Sequence, residues 1–259
     1  MSFNYGKLKA DMQAGASATG FWVQLFSPLA SEIMAASGYD AAMIDLEHGP
    51  GEMMDVISQM QAIQGNDCTP LVRVPSNDPV MIKRVLDTGA AGVMIPAVDT
   101  AEEAQAAVEA CLYPPLGRRG FAASIVRASN FGLNMEDYLN RINRDLLIIC
   151  QIESGKAVDN VEAIAAVEGV DMLFIGPYDL TADLGHTALP DAAATLEARD
   201  RVEAAARKHG KLLGSIGTAK RPPEDLYKRG YGLVLADGDA GHLRVTAEKA
   251  MAEHNRWRG

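Results

Sequence analysis

Apolar residues fall along this chain in short runs, and longer stretches of mixed polarity separate them. The runs occupy positions 20–26 (GFWVQLF), 41–47 (AAMIDLE), 70–75 (PLVRVP), 92–98 (GVMIPAV), 146–153 (LLIICQIE), 172–177 (MLFIGP), 212–217 (LLGSIG) and 232–237 (GLVLAD). Runs of this length read as strands buried on both faces, as in a parallel sheet. Between them lie EMMDVISQMQAIQ, DPVMIKRVLDTGA, TAEEAQAAVEACL, KAVDNVEAIAAVE and ATLEARDRVEAAARKHG, whose apolar positions repeat at helical spacing. Helical stretches stop at Gly38, Gly65, Gly89, Gly210 and Gly230, residues able to adopt the positive φ that ends a last turn.

Eight such units, with an additional helix at the amino end, predict a single (β/α)8 TIM barrel over residues 1–259. An open doubly wound sheet is the second choice of architecture. One interval breaks the rhythm. Between the fourth and fifth strands an insertion, YPPLGRRGFAASIVRASNFG at 113–132, carries Arg118, Arg119 and Arg127 together with aromatic residues. A long loop of that composition is expected to shape a site or a subunit contact.

Composition narrows the function classes. The formal net charge of −10 and pI near 5.0 oppose a phosphate backbone, so no nucleic-acid partner is expected. The amino end lacks a signal-peptide core, and no run of about 18 apolar residues occurs, so a membrane is not expected either. Cys68, Cys111 and Cys150 are too far apart for a C-x-x-C motif, which suits a reduced, cytoplasmic protein. Gly-x-Gly-x-x-Gly and P-loop patterns are absent, against NAD or a nucleoside triphosphate as the main ligand.

Barrel enzymes gather their chemistry at the carboxyl ends of the strands. Here those ends carry Asp45, Glu47 and His48 in MIDLEHGP, Arg73 in PLVRVP, Glu153 in IICQIES and Asp179 in LFIGPYDL. Two carboxylates from separate strands, with no cysteine or histidine cluster beside them, suit a hard cation such as Mg²⁺ or Mn²⁺, with Co²⁺ a further candidate. Glu153 and Asp179 are the candidate ligands, and helix capping is the alternative for each. His48 beside Asp45 is a candidate general base, against a solvated loop histidine. Arg73 has either a substrate oxyanion or an ion pair with Asp45 or Glu47 to satisfy it. His186, His209, His242 and His254 carry no comparable setting, and Asp237 and Asp239 read as a turn and helix start.

DLEHGP, VRVPSNDPVMIKRVLDTGA, MIPAVDTAEEA, YPPLGRRGFAASIVRAS, QIES and FIGPYDLTADLG resemble, in order, the motifs of the HpcH/HpaI family of metal-dependent 2-oxo acid aldolases. The similarity runs through residues 20–190 and is looser beyond. It implies a barrel whose last helix is exchanged between subunits of a hexamer, a trimer of dimers. It also implies metal ligands at Glu153 and Asp179, an acid/base dyad of His48 with Asp45, and Arg73 beside the oxo group. Asp87 would reach a neighbouring subunit's site, and Gly176 and Pro177 would hold the substrate carboxylate. Tyr178 departs from the small residue usual at its position and would narrow the pocket.

The expected reaction is reversible cleavage of a 4-hydroxy-2-oxo acid to pyruvate, or a similar small 2-oxo acid, and an aldehyde. A metal-stabilised enolate makes PLP, NAD and a Schiff-base lysine unnecessary. Other uses of the same residues are a lyase acting on a CoA thioester, an oxaloacetate decarboxylase, and a non-catalytic barrel that binds a 2-oxo acid.

Overall fold

Eight strands close into one barrel in sequence order, each parallel to both neighbours. They are β1 (Ala18–Val23), β2 (Ala41–Asp45), β3 (Thr69–Arg73), β4 (Gly92–Ile95), β5 (Leu147–Ile152), β6 (Met172–Ile175), β7 (Leu212–Ser215) and β8 (Leu233–Gly238). This is a (β/α)8 TIM barrel, and the open sheet is excluded by the β1–β8 pairing. The structure is a computed structural model that describes residues 5–258, so residues 1–4 and 259 of the single-domain reading lie outside the described residues.

Period-two alternation sorts the strand residues into two cores. Ala41 and Met43, Leu71, Met94, Leu147 and Ile149, Met172 and Phe174 point inward and fill the barrel. Ala42 and Ile44, Val72, Ile148, Cys150 and Ile152, Leu173 and Ile175 point outward, under the helices. The amino end of the barrel is plugged by α1 (Lys7–Gln13), whose Leu8 and Met12 join the inner core. Continuing the inward row past the last apolar layer gives Asp45, Arg73 and Gln151, all buried. Polar groups at strand ends are therefore a continuation of the pleat.

Around the strands run α2 (Pro28–Ala36), α3 (Met53–Ile63), α4 (Pro79–Asp87), α5 (Ala101–Cys111), α6 (Met135–Asp145), α7 (Gly155–Asp159), α8 (Val161–Ala166), α9 (Pro177–Asp183), α10 (Ala193–Lys208), α11 (Pro223–Lys228) and α12 (Asp239–Trp257). The five helix-ending glycines all have positive φ, between 64° and 106°. KAVDNVEAIAAVE is not one helix. It breaks at Asn160, whose side-chain amide donates to Asp99 O at 2.9 Å. The first strand ends at Val23, short of the expected 26, because Phe26 turns away at a φ of 50°.

The 113–132 insertion follows α5, so it leaves from the amino end of the barrel, opposite the mouth. It cannot shape the site of its own chain, which removes one of the two expected roles. Within it Arg119, buried, donates to Asp87 Oδ1 at 2.7 Å and lies 4.5 Å from the Tyr113 ring centroid. Arg127 donates to Thr88 O at 2.7 Å, while Arg118 stays exposed beside Glu109. At the other terminus, Asp239 accepts the amides of Gln24 and Leu25 at 3.0 Å each and anchors the start of α12. Asp237 accepts the Tyr39 hydroxyl at 2.7 Å. Among the described residues no helix is long and apolar enough to cross a membrane.

Candidate active site

The mouth of the barrel is organised around Arg73, the last residue of β3. Parallel register sets it beside Asp45 at the end of β2. Its Nε donates to Asp45 Oδ1 at 2.9 Å and its Nη2 to Asp45 Oδ2 at 2.7 Å, a two-pronged pair in which the carboxylate is fully buried. Nη1 faces Glu47 Oε2 at 3.0 Å. Burial works to raise the Asp45 pKa, but the hydrogen bonds and charge of Arg73 outweigh it and hold the carboxyl below its usual value.

Asp45 also gathers the loop that follows it. Oδ1 accepts the main-chain N–H of Glu47 at 3.1 Å and of His48 at 3.3 Å, and Gln24 Nε2 donates to Oδ2 at 3.3 Å. The loop folds this tightly because Gly49 has no side chain; a Cβ there would lie 2.3 Å from Asp45 O and 2.6 Å from the Phe26 ring. The result is that His48 projects into the mouth with its side chain 59% exposed and Nε2 3.9 Å from Glu47 Oε2. The dyad expected between His48 and Asp45 is not a side-chain contact in this structure. Both Asp45 oxygens are committed to Arg73, and Asp45 reaches His48 only through its main-chain N–H.

Glu153 follows β5 and turns inward. Its Oε1 accepts the Ala97 N–H at 2.8 Å, and its Oε2 accepts a hydrogen bond from Gln151. Ala97 makes that bond from a left-handed φ of 51°, an uncommon conformation for alanine and one that marks functional sites. Gln151 is buried and its Oε1 has no hydrogen-bond donor. Glu153 caps no helix, since Ser154 Oγ takes the Ala157 amide of α7 at 2.9 Å. Asp179 lies exposed in the first turn of α9, which no side chain caps. Neither carboxylate makes a side-chain capping hydrogen bond, although Asp179 sits in the first turn of α9, where its charge suits the helix dipole.

Burial, with the nearby charges of Glu47 and Asp179 adding to it, pushes the Glu153 carboxyl up to about 7, against the opposing pull of the Ala97 amide and Arg73. Glu47 is raised as well, first by burial. The negative charges of Glu47 and Asp179 both bear on Glu153, which makes a place where a divalent cation would relieve repulsion. Glu153 and Asp179 bring hard oxygen donors, and among the described residues no larger cluster of His, Cys, Asp or Glu encloses a metal. Two carboxylates with the rest of the shell left to water and substrate fit a hard divalent cation. Gly176 is required beside them, because a Cβ there would sit 2.8 Å from Glu153 Oε2.

Of the other expected residues, Pro177 begins α9 at the rim and Tyr178 is exposed next to Asp179. Asp87 stands apart. It ends α4, at the amino end of the barrel, paired with Arg119. Sequence reasoning passed over Trp22, Gln24 and Gln151, although each continues an inward row through GFWVQLF or IICQIES. A groove of about 520 Å³ opens beside Glu47 and Ala97, between the loops after β3 and β4.

Known proteins resemble this chain along nearly its whole length. Residues 18–244 match the profile of the HpcH/HpaI aldolase/citrate lyase family. The 5-keto-4-deoxy-D-glucarate aldolase of Salmonella paratyphi C (strain RKS4594) is 40% identical over 246 residues, 94% of this chain and 94% of that one. A family member of solved structure from Burkholderia cenocepacia J2315 superposes with a TM-score of 0.91 at 36% identity, covering 96% of this chain and 99% of its own. The citrate synthase SbnG superposes at 0.85 with 26% identity, covering 96% and 97%. Identity at this level, sustained from β1 into α12, goes beyond a shared barrel: the chain belongs to the HpcH/HpaI aldolase/citrate lyase family.

Proposed function

We propose that this enzyme reversibly cleaves a 4-hydroxy-2-oxo acid to pyruvate, or a similar small 2-oxo acid, and an aldehyde. The carrying observation is that Arg73, clamped by Asp45 and Glu47, shares one rim with the paired carboxylates Glu153 and Asp179. Mg²⁺ or Mn²⁺, with Co²⁺ as a further option, is the cation that Glu153 and Asp179 would hold, and it supplies Lewis-acid polarisation of the 2-oxo group.

The chain's own groups do the rest. Nε and Nη2 of Arg73 each donate one N–H to Asp45, and Nη1 is ion-paired with Glu47 without a hydrogen bond to it, which leaves the Nη1 N–H groups and one on Nη2 for the developing enolate oxygen. The uncapped first turn of α9, behind Gly176 and Pro177, receives the substrate carboxylate on its main-chain amides. His48 takes the C4 hydroxyl proton as the C3–C4 bond breaks, so that the aldehyde leaves and the bonding pair stays with the 2-oxo acid fragment. Glu47, within reach of both His48 and Arg73, stabilises the imidazolium. Tyr178 walls the mouth on the side of α9.

The assembly proposed is a cytoplasmic hexamer, a trimer of dimers, in which α12 is exchanged between subunits. Its support is that α12 leaves Leu243, Val245 and Trp257 exposed and buries only its first residue, Asp239. Asp87 acts in a neighbour's mouth rather than its own. The relatives named for 5-keto-4-deoxy-D-glucarate make that sugar acid the first substrate to try. The test is pyruvate release from a panel of 4-hydroxy-2-oxo acids by chelator-treated protein, with and without added cation. Release restored by metal is expected; tight pyruvate binding without release from any substrate would leave a binding protein.

A further inference from the structure

Asp45 holds one edge of the Arg73 guanidinium by two hydrogen bonds, and its face is held by something else. The Arg73 Cζ lies 4.3 Å from the centroid of the Trp22 ring. Trp22 belongs to the inward row of β1, opposite Met43 of β2. Its ring is braced from the far side by Phe174, edge to face at 6.3 Å and 90°. The mechanism above gives Trp22 no part, and filling the barrel does not demand an indole: the inner core around it is built from Met, Leu, Ile and Ala besides Phe174.

We propose that Trp22 is a positioning residue for this reaction, holding the Arg73 guanidinium flat by cation–π attraction so that its uncommitted N–H bonds stay aimed at the substrate oxygen. The inference rests on the aldolase reading. Its physical basis is that Asp45 grips one edge of the guanidinium in its own plane and leaves tilting out of that plane weakly opposed. An aromatic face opposes the tilt, because the attraction falls as the cation moves off the ring. The same face keeps water from one side of the charge, so Arg73 acts on a nascent enolate through a less polar medium. An aliphatic side chain would exclude water equally well and would not attract the cation.

That difference supplies the test. The chain contains two tryptophans, Trp22 and Trp257. In a Trp257→Phe background, Trp22 is replaced biosynthetically by mono-, di- and trifluorotryptophan, which withdraw charge from the ring face with little change of shape. The reference is the same variant without fluorine. The turnover number for pyruvate release is expected to fall with each added fluorine, by about 2- to 30-fold across the series. Metal affinity measured by calorimetry should stay constant, because Glu153 and Asp179 are untouched. A flat turnover number across the series would overturn the proposal and reduce Trp22 to packing, even if Trp22→Leu proved damaging. Absence of pyruvate release from the unsubstituted protein, despite normal metal binding, would overturn the aldolase reading itself, and this role with it.

Discussion

Gly176→Ala adds one carbon to the molecule, and the structure says what that carbon meets. The new Cβ would lie 2.8 Å from Glu153 Oε2, 2.9 Å from Gln151 Nε2 and 3.2 Å from Glu153 Cβ, where ordinary contact begins at 3.4 Å. Alanine tolerates the local backbone, at φ −90° and ψ 90°, so the substitution acts through this collision and not through strain. The backbone has little room to retreat, since Gly176 N donates to Ile152 O at 3.2 Å and Pro177 follows. The Glu153 carboxylate must therefore back away by about 0.6 Å. Mg²⁺ holds its oxygen ligands at about 2.0–2.1 Å in near-ideal octahedral geometry, so a shift of that size forfeits a bond. Loss of a supporting contact alone typically weakens metal binding ~10- to 100-fold, and displacement of a ligand should exceed the upper figure. Overpacking should cost about 1–3 kcal/mol of stability, leaving a folded protein to measure. Titration calorimetry with Mn²⁺ on chelator-treated protein reads the affinity directly. Gly176→Ala/Glu153→Asp, which shortens the crowded side chain by one methylene, should recover part of it. A dissociation constant within about 3-fold of the unsubstituted protein would refute the reasoning, showing either that Glu153 does not bind the cation or that the Gly176 turn yields.

Asp45→Asn leaves the Arg73 guanidinium buried without its main counter-charge and should destabilise the fold by about 3 kcal/mol or more. Because Arg73 holds the folded pKa of Asp45 below the ordinary value of about 3.9, this contribution is complete above that value and is lost as pH falls through the folded pKa. Denaturant melts should show a constant gap between the two proteins near neutrality that closes only in strong acid; a gap that narrows around pH ~6 would contradict the pairing. His48→Ala and Asp87→Asn should each be nearly inactive, with turnover reduced ~10²- to 10⁴-fold for His48→Ala. Unfolded together and refolded as a mixture, they should regain activity, because some interfaces then join an intact His48 to an intact Asp87 from a neighbour; mixtures no better than either parent would refute the shared site. The thiols should be inert in the folded state, since burial pushes Cys68 and Cys150 up to about 12 and Cys111 further still. A colourless reaction with a disulfide reagent at pH ~8, and three thiols after denaturation, is the expected result.

How much of this the amino-acid sequence reveals differs residue by residue. The barrel was legible because each strand is short and apolar on both faces, and because glycine closes the preceding helix in the left-handed conformation, as at Gly38 and Gly65. Asp45, Arg73 and Glu153 were legible as candidates because a charged residue ending a buried run needs a partner, whether a helix end, an ion pair or a ligand. Their pairing was legible only as an alternative, Arg73 with Asp45 or Glu47. Whether the Asp45 carboxylate serves the imidazole of His48 or the guanidinium of Arg73 depends on strand register, which sets Arg73 beside Asp45 across two parallel strands. Sequence proximity favoured His48, and the three-dimensional neighbour prevailed. Gln24 and Gln151 were missed for a related reason: neutral amides at strand ends look like ordinary surface residues until the pleat is counted inward.

The insertion shows the limit from the other side. Its length and its arginines suggested a site loop or a subunit contact, yet position in the βα unit decides which end of a barrel a loop decorates. Residues 113–132 follow α5 and precede α6, so Arg119 and Asp87 meet at the amino end, a full strand length from Glu153. A salt bridge there, with Arg119 buried and stacked on Tyr113, holds Asp87 in a fixed place at a surface that its own active site never sees. If Asp87 takes part in the reaction, geometry requires that it do so in another subunit. A site completed in this way is active only when assembled, and dilution should then lower specific activity along with oligomer size. Asp87→Asn and Arg119→Lys should lose activity at full assembly, the former by removing the carboxylate and the latter by loosening it, while metal affinity at Glu153 and Asp179 stays unchanged. Loss of activity that tracked dissociation alone, with no further loss at matched oligomer size, would confine the Asp87–Arg119 pair to holding the subunits together.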